Sequence, residues 1–125
     1  MATVTKQTQL DGSKLLIVNV HITGATDLAD TVLVDASTYT PAFTNESLLR
    51  VEGSLAGLKL NLKWYATSNV PFLALGDGDF CHDFTSVGGI VNNASTGKNG
   101  DIVADSEGAS ADTYGWIRFT IKKKA

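Results

Sequence analysis

The chain has 125 residues, of which 43% are hydrophobic and 18% charged, and its formal net charge is -3. A chain of this length buries enough surface to hold a core without metal or disulfide support, which argues against intrinsic disorder. One cysteine, Cys81, excludes an intramolecular disulfide framework, and the mild acidic balance opposes a phosphate-neutralising nucleic-acid binder.

In chain order, Val4 to Leu10 and Lys14 to Ile22 are separated by Asp11-Gly12, a pair suited to a tight turn, and together they predict an opening β-hairpin. The second of these alternates cleanly. Leu16, Val18, Val20 and Ile22 fall on one side, and Leu15, Ile17, Asn19 and His21 on the other. Thr31 to Asp35 is a short β-branched strand, and Ala36 to Asn45, containing Pro41, reads as a loop or an edge strand. Ser47 to Gly53 and Leu58 to Tyr65 follow as strands, the latter with Leu58, Leu60, Leu62 and Trp64 inward. Pro71 to Leu75 and Asp79 to Thr85 are joined by the turn Gly76-Asp77-Gly78. From Ser86 to Ser110 the chain is rich in Gly, Asn, Ser, Thr and Asp, with brief strands at Gly89 to Val91 and Ile102 to Ala104 between long polar loops. Tyr114 to Lys122 alternates again, with Ile117, Phe119 and Ile121 opposed to Trp116, Arg118, Thr120 and Lys122.

No window carries a 3.6-residue apolar stripe, so the expected fold is all-β: an antiparallel sandwich or barrel of about eight short strands in a single domain over 1–125. Residues 1–9 are expected as an extended N-terminal arm. No signal-peptide apolar run and no apolar stretch of about 18 residues occurs, so synthesis in the cytoplasm as a soluble chain is expected.

The segment Gly76 to Asp83 concentrates three aspartates, His82 and Cys81, but a strand places Cys81 and Asp83 on one face and Phe80 and His82 on the other. The bland reading, turn aspartates and a strand thiol, is preferred to a metal site, and no cofactor is expected. Catalysis by Cys81 would need His21 or His82 as a base, a geometry that nothing in the sequence enforces. Gly97-Lys98-Asn99-Gly100 lacks the Ser or Thr and the strand-to-helix setting of a phosphate loop, and reads as a hairpin turn. Lys122-Lys123-Lys124 reads as a solvated tail. Outward-facing Tyr65, Trp116 and Arg118 are residue types enriched at interface centres, which points to a protein-binding sheet face.

The order of several segments adds a resemblance. Val4-Thr5-Lys6-Gln7-Thr8-Gln9-Leu10-Asp11-Gly12-Ser13-Lys14, Leu60-Asn61-Leu62-Lys63-Trp64-Tyr65-Ala66-Thr67, Asp83-Phe84-Thr85-Ser86-Val87-Gly88-Gly89-Ile90 with Asn92-Asn93 and Gly97-Lys98-Asn99-Gly100-Asp101-Ile102, and Asp112-Thr113-Tyr114-Gly115-Trp116-Ile117 together resemble small virion structural proteins of tailed bacteriophages, most like head decoration (cement) proteins. The resemblance implies a non-enzymatic particle component carried on the capsid surface of the virion. Its implied partners are the major capsid protein and further copies of itself, with no nucleic acid, membrane, cofactor or metal. Collar, head-completion and tail proteins share this character. For such a role the arm and the long polar stretch Ser86 to Ala111 are expected to order against neighbouring subunits. The expected contact residues are Thr3, Thr5, Gln7, Tyr39, Phe43, Asn92, Asn93, Lys98 and Trp116. The competing reading is a carbohydrate-binding sandwich, in which Trp64, Tyr65 and Trp116 stack on sugar rings and the Asp77 to Asp83 loop holds calcium.

Overall fold

Alternation in the sequence becomes alternation in burial. In the computed structural model, which describes residues 3–24, 26–109 and 113–124, strand β2 (Leu15–Thr23) buries Leu16, Val18, Val20 and Ile22 and leaves the side chains between them partly exposed. The same rule holds for β5 (Lys59–Trp64), which buries Leu60, Leu62 and Trp64, and for β10 (Tyr114–Lys124), which buries Ile117, Phe119 and Ile121. Each such side chain removed from water contributes about 1.5–3 kcal/mol, so three strands read by period two supply much of the core.

The remaining strands are β1 (Thr3–Asp11), β3 (Thr31–Val34), β4 (Asn45–Ala56), β6 (Val70–Leu75), β7 (Gly78–Asp83), β8 (Ile90–Val91) and β9 (Ile102–Glu107). All pairings are antiparallel. One sheet has the order β1-β2-β10-β4-β7, with β8 also on β4; the other has the order β3-β9-β5-β6. The fold is a two-sheet sandwich of ten strands, not a closed barrel, because the two sheets share no strand pairing among the described residues. No helix among those residues is long and apolar enough to cross a membrane.

Four sequence expectations are corrected. The N-terminal segment is not a free arm: from Thr3 to Asp11 its backbone pairs with β2, so it is the edge strand of the larger sheet, while Met1 and Ala2 lie outside the described residues. The stretch Ser86 to Ala111 is held by its own bonds. Its β9 is flanked by β3 and β5, Asn92 bonds Glu46 through both backbone and side chain, and Lys98 Nζ donates to Asn45 Oδ1 at 2.5 Å; Ser110 and Ala111 lie outside the described residues. The turn Gly97 to Gly100 is not a hairpin, since it carries the chain from β8 in one sheet to β9 in the other. Gly100 sits there at φ +87°, and a Cβ would lie 2.5 Å from the carbonyl oxygen of Phe43, so the turn packs where only glycine fits.

The lysine run is likewise strand, not tail. Its side chains alternate, and Lys123 is buried with its ammonium 2.6 Å from Asp11 Oδ1, 2.8 Å from the Gly12 carbonyl and 5.9 Å above the Phe43 ring. That hydrogen bond is the main reason the Asp11 carboxyl titrates below its usual range. Lys123→Ala is expected to lower stability by about 1–3 kcal/mol, read as a fall in the urea midpoint, because it empties a packed site and removes the hydrogen bonds to Asp11 and the Gly12 carbonyl.

A candidate protein-binding face

Strand register assembles the outer face of the larger sheet row by row. Thr3, Thr23, Tyr114 and Ala56 stand side by side; the next row is Thr5, His21, Trp116, Ser54 and Asp79, and the one after it Gln7, Asn19, Arg118, Glu52 and Cys81. A sheet turns every second side chain the same way, so these rows share one surface while Val20, Phe119 and Val51 point into the core.

Two kinds of group dominate the surface. Toward the Tyr114 end it is aromatic: His21 and Tyr114 meet edge to face at 6.5 Å, and Trp116 lies directly opposite His21 in the ladder. Tyr114 is about half exposed. Further along, the surface is ionic. Arg118 donates through Nε to Asn19 Oδ1 at 2.9 Å and approaches Glu52 at 3.9 Å, and Arg50 Nη2 lies 3.2 Å from Glu52 and 3.5 Å from Cys81 Sγ. The guanidinium groups are therefore held in position by side chains of neighbouring strands, with donors left over for a partner.

Four expected contact residues, Thr3, Thr5, Gln7 and Trp116, are brought onto this one face. Thr3, Thr5 and Gln7 lie on the edge strand β1, which has one long side without a partner strand among the described residues and carries Lys6 exposed, while Trp116 lies on the central β10. The other five lie elsewhere. Tyr39 and Phe43 stack on each other at 6.4 Å and are 9% and 5% exposed, so they are core residues and not surface contacts. Both come from an irregular segment that the chain folds back over the lysine end of the sandwich, where burying two aromatics outweighs leaving them in water. Asn92 is also interior: its amide donates to Glu46 Oε1 at 2.7 Å and its own carbonyl accepts from Ala94 N. Lys98 is half-buried against Asn45, and Asn93 is exposed.

His21, Tyr114 and Asn19 belong to the face and are absent from the expected contacts, although the alternation of β2 and β10 places them there. The sugar-stacking set is not assembled. Trp64 is fully buried, with its ring 3.9 Å from that of Phe72, and Tyr65 belongs to the other sheet's side of the chain. Asp77 Oδ1 accepts from Gly57 N and Asp83 Oδ1 from Thr85 N, the turn and capping roles expected of such aspartates. Among the described residues no three His, Cys, Asp or Glu side chains are grouped to hold a metal ion.

The interior holds one unusual acid. Glu46 is 1% exposed, its Oε2 has no partner, and burial pushes its carboxyl up to about 8 against the opposing effect of the Asn92 hydrogen bond. Asp101 is also held above the usual carboxylate range by burial. Glu46 sits at the start of β4, behind the face and not on it, so its protonation bears on stability. No protein-family model matches this chain, and no curated protein matches it.

Proposed function

We propose that this protein is a structural component of a tailed-phage particle, most specifically a head decoration protein that covers and bridges shell subunits through the outer face of its six-stranded sheet. The observation that supports the reading is the continuity of that face: Tyr114, Trp116, His21 and Arg118 adjoin Thr3, Thr5 and Gln7 on an exposed edge strand. Aromatic rings and arginine are the groups that carry most energy at protein interfaces, and an unpaired strand edge offers backbone hydrogen bonds to a neighbour. The segment order that resembles small virion structural proteins points the same way. Repetition over many equivalent shell positions makes each modest contact sufficient, because stabilisation of the shell follows occupancy by mass action.

Purified protein is expected to bind preformed, expanded shells saturably and to raise their melting temperature. Trp116→Ala combined with Tyr114→Ala is expected to weaken that binding by at least about tenfold while the free protein still unfolds cooperatively at a somewhat lower temperature, since both side chains lie on the outer face and Trp116 is only partly exposed. Saturable binding that the double variant leaves intact would remove this face from the docking surface; no binding to any shell would remove the decoration role.

A further inference from the structure

The two ends of the sandwich carry opposite charge. At one end β10 delivers Lys122, Lys123 and Lys124 beside Lys14, around a groove of about 560 Å³ over Pro41 and Phe43. The acids at this end do not neutralise it. Asp11 is paired with Lys123, Glu46 is buried with its carboxyl pushed up to about 8, and Asp35 and Asp101 keep their charge but do not line the groove. Among the described residues Lys14, Lys122 and Lys124 are exposed and have no ion pair.

At the opposite end the turn before β7, the start of β7 and the last residue of β9 expose Asp77, Asp79 and Glu107, with Lys59 the neighbouring cation. Asp27 adds a further exposed carboxylate from the loop after β2. β10 spans the distance between the two ends, roughly 35 Å at about 3.3 Å per residue, whereas charges are screened over about 10 Å at ordinary salt. The two ends therefore do not cancel one another within a molecule. A second molecule brings them into contact.

We propose that the lysine end of one copy takes the acidic end of another, head to tail, around Lys14, Lys122 and Lys124 on one side and Asp77, Asp79 and Glu107 on the other. The contact is heterologous, so it extends a row or closes a ring and does not stop at a two-fold dimer. Exposed ion pairs are individually weak, which makes the association modest and salt-sensitive. Asp79 stands in the Trp116 row at the rim of the docking face, so the two contacts adjoin. Self-association is read on the free chain without shells, so its failure is distinguishable from failure of the shell-docking reading.

Sedimentation velocity of the full chain tests this. At about 20 mM salt the mean mass of the wild type is expected to rise with concentration, and at about 500 mM to return to that of one chain. Lys14→Glu/Lys122→Glu/Lys124→Glu has two acidic ends, and Asp79→Lys/Glu107→Lys has two basic ends. Each alone is expected to need at least about tenfold higher concentration to associate, and the two mixed are expected to form mixed complexes. Serine at the three lysine positions provides a milder variant with the same expected loss should the glutamates prevent folding. A wild type that stays monomeric at low salt, folded variants that associate as the wild type does, or a mixture of folded variants that fails to associate would overturn the proposal. So would a monomeric wild type that binds double-stranded DNA through these lysines.

Discussion

Gly53→Ala is expected to destabilise the protein by about 4 kcal/mol or more, a large part of the stability of a domain this size. Gly53 lies in the middle of β4, opposite Ile117 of β10 on one side and Phe80 of β7 on the other. A Cβ there would stand 2.0 Å from the Trp116 carbonyl oxygen and 3.1 Å from Ile117 Cα, both backbone atoms that no rotamer change moves aside. Relief requires β4 and β10 to separate, and those strands join the two halves of the larger sheet. Urea denaturation of the variant, or its recovery only as aggregate, measures the effect; a loss below about 1 kcal/mol would show that the strands yield at this point.

The second large effect is on pH dependence. Glu46 holds its proton in the folded state up to about pH 8, while in the unfolded chain it titrates near 4.5. Between these values the folded state binds more protons than the unfolded one, so stability falls as pH rises and levels off above about 8. At about 1.4 kcal/mol per unit of displacement the total is of the order of 3–5 kcal/mol. Asp101, raised by burial, adds a contribution of the same sign. Asp11, Asp83 and Asp105 are lowered by hydrogen bonds from Lys123, Thr85 and Lys63, respectively, and work the other way: their contribution is present above the usual carboxylate range and lost as pH falls below it. Maximum stability is therefore expected in the weakly acidic range. Glu46→Gln keeps an acceptor for Asn92 and removes the charge, so its urea-unfolding free energy is expected to vary much less from pH 5 to pH 8 and to exceed the wild type's at pH 8. Parallel pH profiles for the two proteins would contradict this.

What the sequence makes legible is whatever period two encodes. The inward sets of β2, β5 and β10 follow from alternation alone, because one face of each strand meets the core and the other does not. The same alternation predicts that Trp116 and Arg118 face outward, and a hairpin at Asp11-Gly12 fixes Thr3, Thr5 and Gln7 beside His21 and Asn19. The pairing order is less accessible: β10 lies between β2 and β4, more than 50 residues away in the chain, and no local signal specifies that neighbour. Tyr39 and Phe43 sit in an irregular segment without a period, so their burial depends on where the chain folds back. The interior positions of Asn92, Glu46 and Lys123 are hidden for a related reason. Each is a polar residue whose burial is made tolerable by a partner distant in sequence, Glu46 for Asn92 and Asp11 for Lys123.

The proposed docking of this sheet face on a phage shell is tested most directly by electron microscopy of virus particles purified from the source of this chain. The expected result is density for the sandwich at repeated sites on the outer surface of the head, with Trp116 and Tyr114 turned toward the shell. Particles that lack the chain, or that carry it with this face open to solvent, would contradict it.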